Sequence, residues 1–174
     1  MSQYLVLSAI GNDQPGLVNK LSQIIVERKG NITSSRMMAM GGEFALMLMI
    51  EGDENTINDI QNELPKMETQ LDLTITSRIT QLSDSQPTRI PYSVEVVSMD
   101  HPGIVQQVAD FFSSHMANIE EMNTDTYAAA HTGTPMFALT MIVGLPADTK
   151  IGPLREQFME FCDNLNLDAS LEMI

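Results

Sequence analysis

The sequence contains the same motif twice, which constrains its fold more than any other feature. Residues 13–18 read DQPGLV, and residues 100–105 read DHPGIV, 87 positions later. Three further matches keep the same order: GNI at 30–32 with ANI at 117–119, FAL at 44–46 and 137–139, and LD at 71–72 and 167–168. The matching segments keep their order, and only the distance between the two members of a pair increases along the chain. We therefore interpret the chain as two copies of one unit, with small loop insertions in the second copy. Two units are too few for a solenoid, so two similar domains are predicted.

Each copy predicts the same series of strands and helices. In the first copy, an apolar strand over residues 4–10 ends at breaking residues, and a helical apolar stripe follows the Asp-x-Pro-Gly turn. We expect Asp13 to cap this helix and Gly30 to end it. A hairpin, a shorter helix that Pro65 should stop, and a final strand complete the copy. The second copy repeats this pattern from residue 92.

The resulting order, βαββαβ, is that of ferredoxin-like domains. We therefore predict an α+β protein with two such domains, each an antiparallel four-stranded sheet with two helices on one face. The expected domains are residues 1–79 and 92–174. Residues 80–91 are polar and contain Pro87, which is typical of a linker.

Charge and composition disfavour several classes of protein. The 174 residues include 9 Lys and Arg against 23 Asp and Glu, for a formal net charge of −14. Such a chain lacks the cationic surface that binds nucleic acid or anionic membranes. No apolar run approaches the roughly 20 residues of a membrane span. The N-terminus does not have the basic patch with which a signal peptide begins, so we interpret it as a first strand. The single cysteine, Cys162, cannot form an internal disulfide, so we expect a cytoplasmic protein.

The Asp-x-Pro-Gly turns carry the strongest indication of a binding site. A helix start offers N–H groups to a carboxylate, and Gly16 and Gly103 leave room for a ligand. Asn31 and Asn118 begin the second strand of each copy, and we expect them at the same end of the sheet as the turn. Together, the turn and the amide would hold the carboxylate and ammonium of an amino acid. Alternatively, the Asp residues only cap helices and the Asn residues only shape turns.

The residues predict no catalytic, metal or cofactor site. His101, His115 and His131 lack the spacing of a metal site on one helix face. Cys162 lies in an apolar helix and is expected to be buried. The motifs of a nucleophile elbow and of a phosphate-binding loop are not found in the sequence. We therefore expect that the protein is not an enzyme.

The first hairpin is rich in methionine, and its second strand is apolar on both faces. Leu46 and Leu48 share one face, while Met47 and Met49 share the other. A two-layer domain buries only one face of its sheet, so the opposite face should also be covered. The other copy, a second chain in a homo-oligomer and a partner protein are all open alternatives.

The motif Asp-x-Pro-Gly-Leu/Ile-Val, the 15-residue step from that Gly to Asn-Ile, and the βαββαβ order resemble the ACT domain. This small regulatory module typically binds amino acids. Two such domains over about residues 4–77 and 92–173 are similar to the glycine cleavage system transcriptional repressor family of bacteria. The resemblance implies a regulator that acts through a DNA-binding activator and responds to a small amino acid, which in this family is expected to be glycine.

In that family, ligand sites lie between paired ACT domains, near the first turn of one and the start of the second strand. The resemblance implies these ligand-binding residues: Asn12, Asp13, Gly16, Asn31 and Ile32 in the first copy, and Asp100, His101, Gly103, Asn118 and Ile119 in the second. Because His101 replaces Gln14 and Met99 replaces Asn12, we favour the first copy as the competent one. The alternative function is a ligand-free interaction or oligomerisation module that uses its apolar sheet face and acidic surface.

Overall fold

In a computed structural model, which describes residues 2–82 and 88–174, the chain divides into two compact units, Met1–Asp84 and Ser85–Ile174. The predicted βαββαβ order is confirmed in both units. The first unit contains β1 (Gln3–Asn12), α1 (Leu17–Glu27), β2 (Asn31–Met40), β3 (Glu43–Gly52), α2 (Glu54–Leu71) and β4 (Leu73–Thr80). The second unit contains β5 (Arg89–Met99), α3 (Ile104–Ser114), β6 (Asn118–Ala128), β7 (Pro135–Pro146), α4 (Ile151–Asn164) and β8 (Asp168–Met173).

The strands extend into the segment predicted as a linker. Thr80 belongs to β4, and residues 89–91 belong to β5, where Ile90 pairs with Leu145 of β7. Residues 83–87 of the predicted linker lie outside the described residues. The boundaries at 1–79 and 92–174 stay a prediction.

Each unit has an antiparallel four-stranded sheet, with the order β2-β3-β1-β4 in the first and β6-β7-β5-β8 in the second. Alternate side chains of β1 point to opposite faces, as in any strand. Leu5, Leu7 and Ala9 are buried against the helices, whereas Ser8 and Ile10 lie on the other face. Both helices of a unit therefore cover one face of its sheet, which confirms the predicted fold class.

The two units have separate cores of different character. The first is mainly aliphatic, whereas the second contains the fully buried Phe112 and Phe158, whose ring centroids lie 5.0 Å apart. Cys162 is buried in the same core, as predicted. Burial, with a smaller effect from Asp163, raises the pKa of its thiol to about 12. The reactive thiolate is therefore scarce near neutral pH.

Two predictions about helix ends are wrong. Helix α2 does not stop at Pro65 but continues to Leu71. Its buried stripe continues through Met67 and Leu71, and burial of these side chains offsets the backbone hydrogen bond that the proline cannot donate. Helix α1 ends at Glu27, and Lys29 rather than Gly30 takes the left-handed conformation, with φ 63°. Across the described ranges, no helix is both long and apolar enough to cross a membrane.

Asp53 caps helix α2, and this cap should make stability depend on pH. Its carboxylate accepts a hydrogen bond from the Thr56 N–H at 2.8 Å, which lowers the pKa of Asp53 from its ordinary value of 3.8. A carboxylate whose pKa is lower in the folded state stabilises the protein above its unfolded-state pKa, and this contribution is lost as the pH falls through the folded-state pKa. We expect Asp53→Ala to lower the Tm by a few degrees at neutral pH.

The difference in Tm between wild type and Asp53→Ala should shrink as the pH falls below about 4. Thermal melts followed by circular dichroism over this range measure it. Asp53→Asn is the matched control, because an amide oxygen also caps a helix but does not titrate in this range. A difference in Tm that stays constant down to about pH 2.5 would contradict the role of the ionised cap.

Candidate functional site

The candidate site lies where β1 leads into α1. After Asn12, the chain turns through residues 13–16, and Gly16 takes the left-handed conformation, with φ 84° and ψ 1°, directly before the helix. The Asp13 N–H donates a hydrogen bond to the Gly42 carbonyl at 3.2 Å. This bond fastens the turn to the connection between β2 and β3, so the turn is held in place from two sides.

Asp13 does not cap helix α1, contrary to the prediction. Gly16 occupies the cap position, and no described side chain accepts a hydrogen bond from the first turn of the helix. Within the described residues, the N–H groups of Val18 and Asn19 have no hydrogen-bond partner. The exposed carboxylate of Asp13 likewise forms no side-chain hydrogen bond or ion pair there. Donors and an anionic acceptor are therefore both available to a ligand.

A cleft of about 440 Å³ lies at this turn. Its lining combines polar groups of the turn with apolar side chains and consists of Asp13, Gln14, Gly16, Leu17, Val18, Asn19 and Phe44. A Cβ atom at Gly16 would meet no described atom within 4 Å, so the glycine borders open space. A volume of this size is sufficient for a small amino acid.

Asn12 and Gln14 connect the turn to the end of α2. The Gln14 amide donates to the Leu71 carbonyl at 3.0 Å, and the Asn12 amide donates to the Asp72 carboxylate at 3.4 Å. These bonds position the turn. Gln14 and Phe44 were not predicted as lining residues, because their positions depend on contacts with α2 and with the hairpin.

Asn31 and Ile32 lie at the opposite end of the sheet, which corrects the expectation that they share an end with the turn. Asn31 pairs with Glu51, and Glu51 pairs with Tyr4 at the beginning of β1. Tyr4 is eight residues from Asn12, a separation of roughly 26 Å along the strand. The same holds in the second unit, where Asn118 pairs with Gly144 and Met99 pairs with Met136. The reason is that β1 and β2 run in the same direction.

The second unit builds its turn in the same way. Asp100 donates its N–H to the Pro135 carbonyl at 3.0 Å, and Gly103 takes the left-handed conformation, with φ 100°, before α3. No described side chain caps α3, so Asp100 is not its cap either. His101 is exposed, and its Nδ1 lies 3.2 Å from the Pro102 carbonyl.

The space beside the second turn differs from that beside the first. The Gln107 amide nitrogen lies 3.4 Å from where a Cβ atom of Gly103 would be. Gln107 Oε1 is buried and has no hydrogen-bond partner among the described residues. The first copy has Lys20 at this position of the repeat. This exchange of Lys for Gln is a signal in the sequence that could have distinguished the two turns.

The first turn offers the groups that recognise an amino acid: N–H donors for a carboxylate, a carboxylate for an ammonium group, and an apolar wall. Within residues 2–82 and 88–174, no three His, Cys, Asp or Glu side chains are grouped as metal ligands. The arrangement at this turn supplies hydrogen-bond partners for both charged groups of a small zwitterion.

Several known proteins are similar to this chain in sequence. The ACT domain family matches residues 3–89. The glycine cleavage system transcriptional repressor of Escherichia coli (strain K12) is 28% identical over 171 residues, which cover 98% of this chain and 90% of that protein. The repressor of the same name from Shigella flexneri gives the same values.

Two solved structures resemble the whole chain. A crystal structure provisionally described as a glycine cleavage system transcriptional repressor has a TM-score of 0.73 and 26% identity, and the match covers 100% of this chain and 98% of that one. An unknown protein from Galdieria sulphuraria has a TM-score of 0.82 and 24% identity, with 100% and 99% coverage. The second of these similarities concerns the fold alone.

Proposed function

Because the chain belongs to the ACT domain family, we propose that it is a non-enzymatic transcriptional regulator that senses a small amino acid. The similarity to named repressors over 98% of the chain supports the regulatory role. Glycine is the proposed ligand because those relatives are repressors of the glycine cleavage system. The observation that carries the sensor proposal is the cleft at the first turn, where unpaired N–H groups and a free carboxylate meet.

The proposed binding mode uses the first turn for both charged groups of the ligand. The ligand carboxylate accepts hydrogen bonds from the N–H groups of Val18 and Asn19, at the positive end of the α1 dipole. The ligand ammonium donates to the carboxylate of Asp13. In the second unit, Gln107 occupies part of the equivalent space, which supports the first turn as the functional site.

Asn31 and Ile32 require a different explanation, because one small ligand cannot span roughly 26 Å. We therefore propose that they contribute to a ligand bound at the turn of an ACT unit in a second copy of the chain. A site with parts from two copies would couple ligand binding to their assembly, provided that the ligand binds the assembled form more tightly than the separate copies.

Isothermal titration of the full chain with glycine and a panel of other amino acids tests the sensor. We expect glycine to bind, and we expect Asp13→Ala to weaken binding about tenfold to hundredfold, since a charge-assisted hydrogen bond is lost. Asp100→Ala is the matched control at the second turn and should bind like the wild type. If no amino acid binds at millimolar concentration, the sensor proposal is wrong. Equal weakening by both substitutions would contradict the choice of the first turn.

The regulator is proposed to act by contact with a DNA-binding transcriptional activator. The net charge of −14 disfavours direct binding to the phosphate backbone of DNA. Affinity purification of the full chain from the native cell, with and without glycine, should recover a DNA-binding protein in a glycine-dependent manner. A specific mobility shift of DNA by the isolated protein would contradict this mode of action.

A second candidate function is a ligand-free interaction module. The exposure of Met47 and Ile10, 52% and 50%, on the helix-free face of the first sheet favours it. Asn31→Ala separates the two functions. If this variant loses the response to glycine but still binds its partner, the sensor is supported. If neither the variant nor the wild type responds to glycine while both bind the partner, the interaction module is favoured.

A further inference from the structure

One edge of each sheet is covered by a side chain from a helix. The strand order places β4 at an edge of the first sheet and β8 at the equivalent edge of the second. An edge strand presents backbone N–H and C=O groups that have no partner within the sheet, and a strand of another chain can pair with them. The helices that precede these two strands, α2 and α4, each supply a side chain that binds one such group.

In the first unit, Glu68 of α2 covers the edge strand β4. Its Oε1 accepts a hydrogen bond from the Ile75 N–H at 2.7 Å. Ile75 lies opposite Ala9 of β1. Because the N–H of Ile75 donates to the helix and not to β1, this group points to the outer side of β4. The carboxylate of Glu68 therefore occupies a donor that an added strand would need.

In the second unit, Arg155 of α4 covers the edge strand β8. Its Nε donates to the Leu171 carbonyl at 3.1 Å, and Leu171 lies opposite Val94 of β5. The repeat that aligns residues 71–72 with 167–168 also aligns Ile75 with Leu171. The same position is thus covered in both units, at its N–H in the first and at its C=O in the second, by side chains of opposite charge.

We propose that Glu68 and Arg155 prevent β4 and β8 from pairing with an edge strand of a second copy of the chain. An added strand would lie about 4.8 Å from the edge, in the space that these side chains occupy, and would meet a backbone group that is already bonded. Covering an edge is one of the ways in which proteins avoid edge-to-edge association. The two covering residues differ in type and in helix position, so the feature that the units share is the covered edge itself.

Hydrogen exchange of the full chain, followed by NMR, tests the contact of Glu68. Glu68→Ala should expose the Ile75 N–H to water and make its exchange at least about tenfold faster, while the amide of the buried Leu7 in the inner strand β1 keeps its rate. Glu68→Gln is the matched control, because an amide oxygen also accepts a hydrogen bond. An unchanged exchange rate at Ile75 in the alanine variant would overturn the proposal.

Sedimentation velocity tests the effect on association. The double variant Glu68→Ala, Arg155→Ala uncovers both edges and keeps the net charge of the wild type, because it loses one acidic and one basic residue. It should form larger species than the wild type at equal concentration, and each single alanine variant should associate to a smaller extent.

The double variant Glu68→Gln, Arg155→Lys is the control for association. It keeps an acceptor on α2 and a donor on α4, and it should sediment like the wild type. Circular dichroism checks that every variant folds. If the alanine variants, single and double, sediment like the wild type at every concentration, the proposal is wrong even where exchange at Ile75 is faster.

Discussion

Replacing Gly16 with valine is expected to abolish glycine binding while the first unit stays folded. The Cβ position of Gly16 points into open space at the cleft, so the added methyl groups occupy the volume proposed for the ligand. The positive φ of 84° is unfavourable for valine and costs about 1–2 kcal/mol. This is less than the usual stability of a domain, about 5–15 kcal/mol. We expect titration calorimetry to show affinity for glycine reduced at least about hundredfold.

Gly133→Val is the matched control for backbone strain. Gly133 also has a positive φ, 69°, and a Cβ atom there would meet no described atom within 4 Å, but it lies between β6 and β7 of the second unit. This variant should lose a similar amount of stability and bind glycine like the wild type. If Gly16→Val also binds glycine normally, the ligand does not occupy the cleft at the first turn.

Phe158→Ala is expected to destabilise the second unit by about 3–5 kcal/mol, because it leaves a cavity in a closely packed core. Phe158 is fully buried, and its ring centroid lies 5.0 Å from that of Phe112 and 5.2 Å from that of Phe111. A loss of this size lowers the Tm of a domain by about 12 °C or more. Scanning calorimetry measures the Tm, and hydrogen exchange should show β5–β8 losing protection while β1–β4 keep theirs.

Phe158→Leu is the control, because it keeps most of the volume and should cost less than about 1.5 kcal/mol. Equal losses of stability for the alanine and leucine variants would indicate that the aromatic packing, and not the cavity, determines the cost. A loss of protection in β1–β4 equal to that in β5–β8 would contradict separate cores for the two units.

The fold could be predicted from the sequence because its signals are local and occur twice. A strand such as β1 is identified by apolar residues at alternate positions, and a helix such as α1 by an apolar stripe. Each of these patterns is complete within a short stretch of sequence. The repeat then supplied a second, independent example of the same order. The predictions failed at the ends of elements. Asp13 and Pro65 are common at a helix start and stop, but contacts elsewhere in the unit decided against those roles.

The candidate site was predicted only in part. Asp13 and Gly16 line the cleft, as their motif indicated. Phe44 was missed because it reaches the cleft from a neighbouring strand. Gln107 was missed because its effect depends on the space beside Gly103. Asn31 was predicted at the wrong end of the sheet, because β2 runs in the same direction as β1 and therefore begins where β1 begins.

Patterns along the chain were enough to establish the duplication, the order of strands and helices, and which residues of each strand face the core. These properties follow from residue spacing and from the two periods of backbone structure. Two other properties became known from the folded units alone: which loops share an end of the sheet and which side chains border the cleft. They depend on strand direction and pairing register between residues far apart in sequence, and hydrogen bonds of that kind leave no local pattern.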